Sequence, residues 1–250
     1  MSFFRNLLTF NSSRYRLQQE NEAFAAKIPD GALVLDAGAG EAPYRYLYQH
    51  TRYESADFEQ VSQKAYAPST YVCDLKDIPV EDCRFDFIVF TQVMEHLPEP
   101  GTVLAELNRV LKPGGKMLYS GPLFFEEHEQ PYDFYRYTQY ALRHLFEQGG
   151  FDVERLDWLE GYFGTVAYQL GGMARNLPLR PADITPGFAG YLLVPIFLFL
   201  KLGAAGCSVL FHRLETRLKF QRGGYPKNYV AILSKPAGMQ QPRERGAPAL

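Results

Sequence analysis

Val34-Leu35-Asp36-Ala37-Gly38-Ala39-Gly40 is an apolar run ending in a carboxylate and two glycines one residue apart. A strand entering a tight turn reads this way, because glycine lets the backbone pass close under a ligand. The turn departs from a dinucleotide fingerprint. Pro43 stands where G-x-G-x-x-G requires its third glycine. Asp36 and Glu41 place negative charge where a pyrophosphate needs positive potential. These carboxylates suit a ligand with a cationic amino-acid part and no phosphate.

A second group of reactive side chains lies in Gly121-Pro122-Leu123-Phe124-Phe125-Glu126-Glu127-His128-Glu129-Gln130-Pro131-Tyr132-Asp133-Phe134-Tyr135-Arg136-Tyr137-Thr138. The segment is long for a strand-to-helix loop and dense in aromatic and ionisable residues. His128 is a candidate general base or substrate ligand, since histidine changes charge near neutral pH. Asp133, Tyr135 and Arg136 are expected to shape an acceptor pocket around it. His96 is the rival base. Glu126-Glu127-His128-Glu129 has no metal-ligand spacing, and no metal is expected.

Elements must hold these groups. Residues 16–27 read as a helix with Leu17, Phe24 and Ile28 inward, stopped by Pro29-Asp30-Gly31. Strands are expected at 32–36, 53–57, 70–73, 85–90, 116–120, 151–159 and 228–234. Helices are expected at 43–49, 99–111 and 138–147, with Pro43 in a first turn and Thr138 as a cap. Lys112-Pro113-Gly114-Gly115 is expected to end the second of these. Alternating strands and helices imply a doubly wound, mostly parallel α/β sheet, with ligands beyond the carboxyl ends of its strands. Phe3, Phe4, Leu7, Leu8 and Phe10 suggest one face of a short leading helix. The expected division is an N-terminal helical segment (1–28), a core (29–160 with 226–236), an apolar and basic insertion (161–225), and a disordered tail (237–250).

The ordered segments resemble the class I S-adenosylmethionine-dependent methyltransferases, in particular the type 11 group. Residues 34–40 resemble motif I. Phe85-Asp86-Phe87-Ile88-Val89-Phe90-Thr91-Gln92-Val93-Met94-Glu95-His96-Leu97 resembles motif IV and its extension. Leu107-Asn108-Arg109-Val110-Leu111-Lys112-Pro113-Gly114-Gly115 resembles the helix-turn before the fifth strand. The resemblance implies S-adenosylmethionine as cofactor, held by Asp36, Gly38, Ala39, Gly40, Asp57, Phe58, Asp74, Leu75, Thr91 and Gln92. In it, Asp57 resembles the acid that binds both ribose hydroxyls, a task that suits a short carboxylate with paired acceptors. Cys73-Asp74-Leu75 resembles the adenine site. It also implies a seven-stranded sheet whose last strand is antiparallel. The loop around His128 resembles a pattern in bacterial methyltransferases of cell-envelope glycan pathways.

Composition bounds the rest. Hydrophobic residues make up 46% and charged residues 22%, as in a packed domain. A net charge of −2 gives no support to a nucleic-acid partner. Cys73, Cys83 and Cys207 form no C-x-x-C pair, which fits a reducing, cytoplasmic compartment. Residues 188–211 are almost continuously apolar, interrupted by Pro195 and Lys201 and loosened by Gly203 and Gly206. Arg213, Arg217, Lys219, Arg222 and Lys227 follow against one acid, Glu215. Three placements stay open: contact with a membrane's inner face, internal packing or a homodimer surface, and a spanning helix. The expected reaction is O-methylation of a lipid-linked or envelope-glycan acceptor. A small-molecule methyltransferase with a lid or dimer insertion, and a non-catalytic scaffold, are the alternatives.

Overall fold

The computed structural model describes residues 11–61 and 65–238. The expected leading helix and the tail beyond 238 lie outside them. Helix α1 (Ser12–Ala25) precedes β1 (Leu33–Ala37), β2 (Arg52–Asp57), β3 (Tyr71–Val72) and β4 (Phe85–Thr91). Then come α2 (Pro100–Val110), β5 (Leu111–Pro122), α3 (Gln139–Gln148) and β6 (Asp152–Trp158). Helices α4 (Tyr162–Asn176), α5 (Pro181–Ile184) and α6 (Phe188–Leu218) lead to β7 (Asn228–Ser234).

The seven strands form one sheet in the order β3-β2-β1-β4-β5-β7-β6. Strand β1 is buried along its whole length, as its apolar run Leu33-Val34-Leu35 requires, and it carries Asp36 inside with it. Leu35 pairs in parallel with Glu54 of β2 and Ile88 of β4. Strand β7 runs the other way. Lys235 N donates to Gly115 O near the start of β5, and Leu123 N donates to Lys227 O past its end. The chain winds from β1 through β2 to β3 on one side, then crosses to β4 on the other. This reversal opens a crevice at the carboxyl ends of β1 and β4. Val103, Leu104, Leu107 and Val110 of α2 are fully buried. Burying each such side chain contributes about 1.5–3 kcal/mol. Thr138 caps α3, its side chain accepting from Ala141 N at 3.3 Å.

Three local expectations are corrected. The helix expected at 43–49 is a single 3-10 turn, Arg45–Tyr48. Gly38, Gly40 and Ala42 all take positive φ, so the chain follows a turn up to Pro43 rather than a helical path. Lys112-Pro113-Gly114-Gly115 does not separate α2 from a later strand. Strand β5 starts at Leu111 and carries these residues as a bulge, because Phe85 pairs with Leu111 but Phe87 with Lys116. Gly114 supplies the left-handed turn at φ +79°, and its N–H donates to Lys235 O at 2.8 Å. Finally, Pro195 does not interrupt the apolar run, which is one 31-residue helix.

The described residues divide into two compact units: 20–61 and 65–122 with Glu126–Asp157 and 230–238, and 11–19 with Leu123–Phe125 and Trp158–Tyr229. The first holds most of the sheet. In the second, α6 packs its later half on α4. Ser208 Oγ donates to Ala167 O at 2.7 Å, and buried Glu215 accepts from Gly161 N and Gly164 N. The earlier half of α6 exposes Phe188, Tyr191, Leu192, Ile196 and Phe199. By length and composition this helix could cross a membrane.

Candidate cofactor and acceptor site

The turn after β1 is built around glycine for two reasons. Gly38 has φ +76°, and a Cβ there would stand 2.5 Å from both Cγ atoms of Val93. Gly40 N donates to Asp57 Oδ2 at 2.8 Å, while Glu59 N donates to Oδ1 at 3.0 Å. Asp57 is thereby fixed at the end of β2. Each oxygen keeps a further lone pair for a ligand hydroxyl.

Asp36 is placed differently. It is buried, and Tyr53 Oη donates to its Oδ2 at 2.5 Å. Burial pushes its carboxyl up to about 6, against the lowering effect of the Tyr53 hydrogen bond. The folded chain therefore holds a proton between about pH 4 and 6 that the unfolded chain has released. Stability from this group is present below that window and is lost as pH rises through it, a difference of about 3 kcal/mol. Asp36→Asn is expected to stabilise the chain at pH 8 by up to that amount and to change little at pH 4. Urea unfolding of both proteins at the two pH values checks this. An equal difference at both would contradict it.

One cavity opens beside the turn. Of the residues expected to hold a cofactor, Gly38, Asp57, Phe58, Asp74, Leu75 and Gln92 line it. Asp36, Ala39, Gly40 and Thr91 do not. Gly40 acts on it through Asp57. Lys76 also lines the cavity, and sequence reasoning missed it. Its Nζ lies 3.6 Å from Asp74 Oδ2 and 3.4 Å from Glu99 Oε1.

His96 lines the same cavity, together with Glu129, Tyr132 and Phe134 from the loop after β5. Main-chain bonds bring that loop to the 3-10 turn Met94–His96. Phe134 N and Tyr135 N donate to Glu95 O at 2.8 and 3.2 Å, and Tyr137 Oη donates to Met94 O at 3.2 Å. His96 Nδ1 donates to Tyr132 O at 2.5 Å. The result sets the His96 and His128 rings edge to face, 4.7 Å between centroids.

The remaining expected acceptor residues sit behind this surface. Arg136 grips Asp133 with two bonds of 2.6 and 2.8 Å, and Asp133 Oδ2 accepts from His128 N at 2.9 Å. The Arg136 bonds hold the Asp133 carboxyl well below the usual range. Tyr135 Oη donates to Pro98 O. Asp133, Tyr135 and Arg136 thus brace the loop, and neither they nor His128 line the cavity. Glu95 is the main residue that sequence reasoning passed over. It is 1% exposed, its two oxygens have no hydrogen-bond partner among the described residues, and burial pushes its carboxyl up to about 8. The signal was its place beside His96 at the end of β4.

With this geometry in view, the similarities to known proteins can be placed. Residues 35–119 match the family model described as "Methyltransferase domain" (Methyltransf_11). That segment spans β1 to β5 and contains every cofactor-lining residue named above. It matches the type 11 methyltransferase domain along about a third of the 250 residues. The Ubiquinone biosynthesis O-methyltransferase of Pseudomonas fluorescens (strain SBW25) is 29% identical over 102 residues, 40% of this chain. The match spans only 38% of that relative's length. The fold resembles that of Haemonchus contortus phosphoethanolamine N-methyltransferase 2 in complex with S-adenosyl-L-methionine. The TM-score is 0.51 at 16% identity, covering 87% of this chain and 52% of that one. It equally resembles the [4+2]-cyclase SpnF, with a TM-score of 0.52 at 17% identity, covering 87% and 81%.

Proposed function

We propose that the chain transfers a methyl group from S-adenosylmethionine to an oxygen of a small-molecule acceptor, one that is lipid-linked or of envelope-glycan type. The observation that carries the reading is that Gly38, Asp57 and Asp74, far apart in sequence, line one cavity with His96 at its edge. The donor set fits this cofactor. The carboxylates offer acceptors to a diol, an amine and a cation, and the glycine turn offers no anchor to a pyrophosphate. When bound, S-adenosylmethionine supplies an electrophilic methyl on a good leaving group, so positioning carries much of the rate.

In this reading Asp57 takes both ribose hydroxyls and Asp74 the adenine amine. Phe58 and Leu75 cover apolar faces of the nucleoside. Gln92 stands at the amino-acid end, and Gly40 acts there by fixing the turn through Asp57; Asp36, Ala39 and Thr91 lie behind the cavity wall. His96 and His128 stand at the acceptor end, where a hydroxyl must lose its proton. Asp133, Tyr135 and Arg136 keep the loop in place. The similarity to a ubiquinone biosynthesis O-methyltransferase favours an oxygen acceptor. The exposed apolar half of α6 favours an acceptor presented at a lipid surface, with 161–225 inserted before β7 for that purpose.

Two measurements test this. Mass spectrometry of lipids and glycans from cells lacking the protein is expected to show a species lighter by one methylene. Wild type should restore the methylated form and His96→Ala should not; an unchanged lipid and glycan profile would oppose the reading. Liposome flotation compares the full chain with one whose 188–211 segment is a short linker. Flotation of the first alone is expected, and two proteins that both stay in solution would leave α6 as a lid or dimer surface.

A second reading has one observation behind it. SpnF, a [4+2]-cyclase, shares this fold, so fold alone does not fix the reaction. Cofactor binding without methyl transfer in cells would favour that reading or a scaffold.

A further inference from the structure

Glu95, His96 and His128 converge at the edge of the cavity. One ligand atom from each lies within 4.8 Å of the other two. We propose that this cluster binds one divalent first-row transition ion of the zinc or cobalt(II) kind. Two imidazoles and one carboxylate are the donor set of open, tetrahedral sites that leave a position for water or a substrate oxygen. Calcium and magnesium, which take oxygen ligands, suit it less.

The two rings are oriented as ligands. His96 Nδ1 faces Tyr132 O at 2.5 Å, and His128 Nδ1 faces Glu126 O at 3.2 Å with Asp133 Oδ2 at 3.3 Å. A carbonyl oxygen only accepts, so each Nδ1 carries the proton and each Nε2 the lone pair. Anchoring the far nitrogen to a carbonyl or carboxylate is how metal-binding histidines are held. Arg136 in turn fixes Asp133. Glu95 supplies the independent observation. Its carboxylate is buried beside the two rings, with its Oε1 4.0 Å from His96 Nε2 and no hydrogen bond to either oxygen among the described residues. A buried carboxylate left so is costly, and a cation removes the cost. Bonds of about 2.1 Å place tetrahedral ligand atoms about 3.4 Å apart. The present spacings, 4.0 Å between Glu95 Oε1 and His96 Nε2 and up to 4.8 Å across the cluster, contract when the ion binds.

The ion site stands on this geometry alone. Its use rests on the methyltransferase reading: with the ion in place, both histidines act on an acceptor oxygen through it rather than as free bases. The test uses the full chain, stripped with a chelator and titrated with cobalt(II). The expected result is one ion per chain, a visible ligand-field absorption band, and two paramagnetically shifted imidazole N–H resonances. His128→Ala should lose one resonance and weaken cobalt binding more than about 100-fold, beyond the loss typical of an outer-shell change. S-adenosylhomocysteine binding to the same variant reports that the domain is folded. Wild type that takes up no stoichiometric cobalt, or binds it without the two resonances, overturns the site. So does cobalt affinity equal to that of wild type in both Glu95→Gln and His128→Ala. Loss of S-adenosylhomocysteine binding by wild type would strike the methyltransferase reading and leave the ion site standing.

Discussion

Asp57→Ala is expected to weaken S-adenosylhomocysteine binding by at least about 100-fold. The carboxylate is proposed to accept from two ribose hydroxyls. A hydrogen bond to a charged group contributes about 1.5–3 kcal/mol, so two exceed the roughly 2.8 kcal/mol that a 100-fold change represents. The substitution also strands the Gly40 and Glu59 amides, which donate to Asp57 in the ligand-free chain. The turn under the ligand therefore loosens as well. Asp57→Asn keeps one acceptor oxygen and should fall between the two. Calorimetry on the three proteins checks this order. Binding by Asp57→Ala at wild-type affinity would remove Asp57 from the ribose site.

Gly38→Ala is expected to damage both stability and cofactor binding. Alanine at φ +76° costs about 1–2 kcal/mol, and its Cβ would overlap both Val93 methyl groups at 2.5 Å. Overpacking of this kind costs about 1–3 kcal/mol more. Urea unfolding should show a loss of about 2–5 kcal/mol. The double variant Gly38→Ala, Val93→Ala should recover part of the loss, because it relieves the overlap and leaves the backbone strain. A single variant as stable as wild type would mean that the turn tolerates a side chain and is not shaped as described.

The sequence was most informative where one physical rule dominates. Buried strands need mostly apolar runs, so β1, β4 and the antiparallel β7 could be located closely, and α2 was legible from its buried stripe. Reading failed where the backbone follows a turn geometry that composition does not show. The positive φ of Ala42 suppressed the helix at Pro43, and the bulge at Gly114 carried β5 back to Leu111. On the site, Gly38, Asp57 and Asp74 could be placed on one cavity because each lies at or just past the end of a strand. The role of Asp133 and Arg136 could not. A carboxylate and a guanidinium three residues apart look equally suited to a pocket or to a brace, and only the contacts in space distinguish them. The meeting of His96 with His128 was hidden for a related reason. It depends on amides donating to Glu95 O, which leave no trace in side-chain spacing.

The central claim is that the glycine turn and its carboxylates select S-adenosylmethionine over a dinucleotide. Isothermal calorimetry of the full chain with S-adenosylhomocysteine and, separately, with NAD tests it most directly. The account predicts one S-adenosylhomocysteine bound per chain, lost in Asp57→Ala, and no heat with NAD. Saturable binding of NAD with none of S-adenosylhomocysteine would contradict it.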